Sequence, residues 1–120
     1  MKMSWNELSK LNINNKDKFV NIFRKVLDKI NEGVFNFKES KIEKNDYYII
    51  VEEDRLNSYF VHIVPKEAYS LFNKMKIEQP SSILGFSVLV GKYNNREVRV
   101  SCFGIPCDLL SKAIIGESQK

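Results

Sequence analysis

Two neighbouring stretches, YYIIV at Tyr47–Val51 and SYFVHIV at Ser58–Val64, are apolar, aromatic or β-branched at nearly every position. A strand with one wet face alternates apolar and polar side chains, whereas a strand without alternation needs cover on both faces and belongs inside a sheet. Both runs are shorter than a buried helix and favour residues that suit a pleated surface. The chain is thereby committed to a sheet with sandwiched inner strands, and the remaining sequence must supply the cover.

A chain of 120 residues, 43% of them hydrophobic, suffices for one domain that buries roughly two thirds of its unfolded surface. The reading is a single α+β domain over residues 1–120, in which residues 1–14 form a short N-terminal helical arm; Ser4 and Glu7 there have the spacing of a reciprocal cap. From Lys16 to Glu32, Phe19, Val20, Ile22, Phe23, Val26, Leu27 and Ile30 repeat at helical spacing, and Gly33 follows as a terminator. Phe35 and Phe37 then alternate with polar residues as a half-buried strand does, before the polar turn ESKIEKND. With the two apolar runs they make a meander of three strands. Pro65 opens a second helix buried through Ala68, Leu71, Phe72 and Met75, and Pro106 opens a third that ends near Ile115.

Between these helices lies a hairpin around KYNNRE. Its apolar members, Val88 and Val90 on one side and Val98 and Val100 on the other, must share a face, so a three-residue loop of Tyr93, Asn94 and Asn95 is expected, pairing Val90 with Val98. The order is α-βββ-α-ββ-α, a largely antiparallel sheet of about five strands with helices packed on it. This order resembles that of the small dimeric chaperones of bacterial secretion systems, and the resemblance implies a dimer that binds segments of client proteins.

The same order occurs in metal-dependent nucleases, which makes Glu52, Glu53 and Asp54 worth testing as metal ligands. Those enzymes need a further acid and a lysine on the following strand. SYFVHIV offers neither, so the acids read as a solvated turn and the fold at most as a nuclease-like one without an intact active site. The single histidine, His62, sits between Val61 and Ile63 with no nucleophile or carboxylate at a diagnostic spacing, and reads as a hydrogen-bonded strand residue. Cys102 and Cys107 are too few for a zinc site and read as idle thiols. The five glycines show no phosphate-binding spacing. No catalytic residue, metal or cofactor is assigned.

Net charge is +4, and ten basic against six acidic residues fall within the first 44 positions, so the excess is mild and mostly N-terminal. For nucleic acid the candidates are Lys25 and Lys29 on the first long helix and Lys92, Arg96 and Arg99 on the hairpin. Acids interrupt both sets. No stretch is long and apolar enough for a membrane span and the N-terminus lacks the apolar core of a secretion signal, so a cytoplasmic protein without membrane contact is expected. The surplus of tyrosine and phenylalanine points to a protein surface. The resulting expectation is a non-enzymatic protein-binding module of adaptor, chaperone or inhibitor type, acting as a homodimer through Phe86, Val88, Phe103 and Leu110; a basic nucleic-acid-binding accessory protein is the alternative.

Overall fold

The computed structural model describes residues 16–54, 58–78, 87–103, 105 and 110. The first helix, α1, runs over Lys16–Asn31. Its end is built by hydrogen bonds from the Val34 amide to the Lys29 carbonyl (3.0 Å) and from the Gly33 amide to the Ile30 carbonyl (3.1 Å). This closure requires a left-handed residue, and Gly33 supplies it with φ +74°.

Strand β1 covers Lys41–Glu43, β2 Tyr47–Asp54 and β3 Ser58–Pro65, joined as the expected antiparallel meander. A single 3-10 turn at Lys66–Ala68 leads into helix α2, Tyr69–Glu78; Pro65 therefore caps the 3-10 turn and does not begin the α-helix itself. The chain returns as β4, Val88–Tyr93, and β5, Arg96–Cys102. The sheet order is β1-β2-β3-β5-β4, and β5 lies parallel to β3 while the other three pairings are antiparallel. The α+β class and the element order match the sequence reading. The expected N-terminal arm lies outside the described residues, as does the C-terminal helix apart from Leu110.

Helices cover both faces of the sheet. On one, Phe19, Phe23, Val26 and Ile30 of α1 pack with Ile49, Val51, Val61, Ile63, Val98 and Val100. On the other, Phe72 and Met75 of α2 pack with Ile50, Val64 and Phe103. The pleat sends successive residues of β2 and β3 to opposite cores, which is why neither strand alternates in polarity.

Three local expectations are corrected. Phe35 and Phe37 do not form a strand: the first strand is Lys41–Glu43, inside the segment read as a polar turn. Both phenylalanines are buried, and Phe37 stacks on Tyr93 at 4.4 Å and packs on Tyr59 at 4.6 Å, so they plug the open end of the α1 core. The hairpin loop has two residues, Asn94 and Asn95, both left-handed at φ 50° and 65°, with Tyr93 paired to Arg96. A bulge between Leu89 and Gly91 then shifts the register, so that Val88 meets Val100 as expected while Gly91 faces Val98. The common apolar face is preserved by the extra residue in the strand instead of one in the loop. Finally, Glu52, Glu53 and Asp54 belong to β2 and not to a turn.

Gly33 and Gly91 separate backbone strain from steric fit, because a β-carbon would meet nothing within 4 Å at either. Gly33→Ala should cost about 1 kcal/mol in urea unfolding, all of it from the left-handed backbone. Gly91→Ala should stay within about 0.5 kcal/mol of the parent.

Candidate functional site

Successive positions on a strand point to opposite faces, and this decides what the acids of β2 can do. Glu52 turns toward α2, where its carboxylate forms an ion pair with Lys76 and stands 3.7 Å from His62 Nε2. Glu53 turns toward α1 and accepts from Arg96 Nη1 at 3.0 Å. The two carboxylates cannot share a metal ion.

His62 is fully buried in the middle of β3. Its Nδ1 lies 2.9 Å from the hydroxyl of Ser101, the residue directly across the parallel ladder, while Glu52 is its diagonal neighbour on β2. A carboxylate can only accept, so in the tautomer with its hydrogen on Nε2 the ring turns that hydrogen toward Glu52 and Nδ1 accepts from the Ser101 hydroxyl. At 3.7 Å the histidine–carboxylate contact is longer than a hydrogen bond. Serine, histidine and carboxylate thus do come together, which the local sequence spacing gave no sign of. Ser101 is only 1% exposed, however, and a hydroxyl walled in on every side has no path to a substrate carbonyl. The His62 ring and the Lys76 ammonium hold the Glu52 carboxyl well below its usual range, at about 2, although burial pushes it the other way. Lys76, on the helix, is thereby tied to the sheet.

The thiol of Cys102 is also buried, donating to the Phe19 carbonyl of α1 at 3.4 Å, and burial pushes its pKa up, which suppresses the thiolate. Cys107 lies outside the described residues.

On the α1 side a groove of about 520 Å³ opens between the helix and the β1–β2 hairpin. Ile22 and Val26 of α1 and Ile42 and Ile49 of the strands form its apolar floor. Val34, 64% exposed, stands at its lip because the Gly33 turn swings the chain outward. Lys25, Lys29 and Lys44 line the rim together with Asp28 and Glu32. Helical spacing puts Lys25 and Lys29 one above the other, and among the described residues the three lysines have no ion-pair partner. The sequence pattern marks Lys25 and Lys29 but not the groove, whose far wall belongs to β1, an edge strand with no sequence signal.

The other candidates scatter. Arg96 packs over the Tyr59 ring at 5.2 Å on the α1 side, while Lys92 and Arg99, at odds with it in the pleat, belong to the opposite face. The hairpin therefore does not assemble one basic patch. Of the residues read as dimer anchors, Phe103 is 1% exposed and packs edge-on to Phe72 at 5.4 Å, and Leu110 is fully buried with the α1 core. Both are absorbed by the chain's own core and cannot act as surface anchors. Val88 is half-buried, and Phe86 lies outside the described residues. Because α1 and α2 take opposite faces, both faces of the sheet receive helical cover from this chain. Among the described residues no helix is long and apolar enough to cross a membrane.

Because the folded Glu52 carboxyl titrates below its unfolded value, its contribution is complete above about pH 5 and disappears as pH falls through about 2. Glu52→Gln should remove about 2 kcal/mol at neutral pH and flatten the acid side of a stability-versus-pH curve. The more exposed Glu53→Gln should change stability by less than about 1 kcal/mol in the same urea titrations.

No known protein family matches the chain, and no curated protein or solved structure matches it either.

Proposed function

We propose that this chain is a non-enzymatic protein-binding module that takes an apolar segment of a partner protein into the groove between α1 and the β1–β2 hairpin. The observation that carries this reading is the groove's combination of an apolar floor, Ile22, Val26, Ile42 and Ile49, with a charged rim and the exposed Val34 at its lip. An apolar centre inside a polar rim is the anatomy of a protein interface. Lys25, Lys29 and Lys44, which have no ion-pair partner among the described residues, favour a segment whose apolar residues are flanked by acids. The free thiol of Cys102 suits a reducing compartment such as the cytoplasm.

A second observation favours self-association. Ile77 is 82% exposed on α2 and Leu89 49% exposed on β4, and since Val88 packs into the α1 core, Leu89 points to the α2 side. Helix α2 packs chiefly on β3, so two large apolar side chains on that side are left to water. A two-fold dimer that buries them gives the homodimer new anchors in place of Phe103 and Leu110.

Panning a random peptide library on the purified protein tests the groove. Enriched peptides should carry apolar residues beside acids, and Val34→Asp and the double change Lys25→Glu with Lys29→Glu should each weaken them about tenfold or more while leaving thermal unfolding intact. Peptides indifferent to both variants would sink the groove. Duplex DNA bound at ~50 mM salt, with affinity falling steeply as salt rises, would favour the nucleic-acid reading instead. For the dimer, light scattering at about 100 μM should give twice the chain mass, and Leu89→Asp should halve it; a monomeric parent at that concentration defeats self-association.

A further inference from the structure

A smaller pocket of about 220 Å³ lies on the opposite side of the sheet, where the β1–β2 edge meets α2. It holds about seven water volumes, which suits a small molecule and not a peptide. Ile50 and Phe72, both buried, make an apolar floor. The mouth is lined by Lys41 of β1, Glu52 of β2, and Tyr69, Asn73 and Lys76 of α2.

Hydrogen-bond donors outnumber free acceptors at this mouth. Glu52, the one carboxylate, is already engaged by Lys76 and faces His62. Lys41 Nζ donates one hydrogen to the Tyr69 hydroxyl at 3.0 Å and sits over the Tyr48 and Tyr69 rings at 4.6 and 4.7 Å, which fixes its position and leaves two hydrogens to give. The Tyr69 oxygen accepts from Lys41 and from Asn73, which leaves its own hydrogen to donate. Lys66 stands behind, 5.3 Å from the Tyr48 ring, and is neutralised by Glu43 at 3.0 Å. The lining thus carries two ammonium groups against one carboxylate, a single net positive charge. A dianion would exceed that charge and meet Glu52.

We propose that this pocket binds a small organic monocarboxylate, with the carboxylate held by Lys41, Tyr69 and Lys76 and the apolar body resting on Ile50 and Phe72. The Lys41 hydrogen bond, and then that of Asn73, lower the pKa of the Tyr69 hydroxyl, which makes it a stronger hydrogen-bond donor to an anion. Lysine as a point charge and tyrosine as a directed donor together orient a carboxylate, and the floor rewards a ligand with a ring or branched chain over a bare anion. This site is independent of the α1 groove.

Titration of the full chain with benzoate, followed by amide chemical shifts at constant ionic strength, tests the assignment. Saturable shifts centred on Lys41, Tyr69, Asn73 and Lys76 are expected, with benzyl alcohol and inorganic phosphate each about tenfold weaker or more. Lys41→Met should weaken benzoate about tenfold, and Tyr69→Phe, which keeps the ring and the fold, by about threefold to tenfold. Shifts spread over lysines across the surface, phosphate binding as tight as benzoate, or benzoate binding unchanged in both variants would each overturn the proposal, as would no saturation below about 20 mM.

Discussion

The parallel pairing of β3 with β5 is the constraint on which the rest of the molecule depends. Every residue of β3 from Ser58 to Pro65 is buried, with β2 antiparallel on one side and β5 parallel on the other. A parallel partner cannot be reached through a tight turn, so the chain must leave over a face of the sheet and come back. The 3-10 turn, α2 and β4 make that excursion. With α1 already filling one face, the crossover helix takes the other, and the inner strands gain cover on both sides from a chain of only 120 residues. Cover on two faces is what permits Tyr47–Val51 and Ser58–Val64 to be apolar without alternation.

The two faces differ in kind. Against α1 the buried packing is almost wholly apolar, closed at one end by the ring cluster of Phe35, Phe37, Tyr59 and Tyr93. Against α2 a polar thread runs through the core from Ser101 by His62 to Glu52 and Lys76. Apolar side chains tolerate slippage between strands, but His62 meets Ser101 in one register of the parallel ladder and Glu52 diagonally in one register of the antiparallel ladder. The thread therefore specifies alignment at the centre of the sheet, where displacement by a single residue would exchange the two cores.

What the sequence made legible follows from the range of the forces involved. Helix α1 and the inner strands were readable because hydrophobic periodicity is local, and Gly33 because a left-handed helix end is a single-residue requirement. The hairpin was half readable: the demand that Val88 and Val100 share a face was met, but the pattern could not say whether the loop or a bulge at Leu89–Gly91 would supply the odd residue. Phe35 and Phe37 misled because an irregular segment that dips two rings into a core has the same alternation as a strand. Lys41–Glu43 gave no signal, since a three-residue edge strand buries almost nothing. The company of His62 was invisible for another reason: Ser101 lies 39 residues away and meets it only after the crossover has formed.

Charge placement separates the two kinds of partner that a mildly basic chain can serve. Lys18 pairs with Asp46, Lys66 with Glu43, Lys76 with Glu52 and Arg96 with Glu53, so these four positive charges are used within the fold. Lys25, Lys29 and Lys44 are left at the rim of the α1 groove, but Asp28 and Glu32 stand among them. A nucleic-acid backbone presents one sign of charge at regular intervals and would meet those carboxylates together with the lysines. A protein segment presents both signs on separate side chains and can answer each with its opposite, while its apolar residues reach the floor between them. Mixed charge around an apolar centre accordingly supports the proposed peptide partner over a polyanion, even though the net charge taken alone would point the other way.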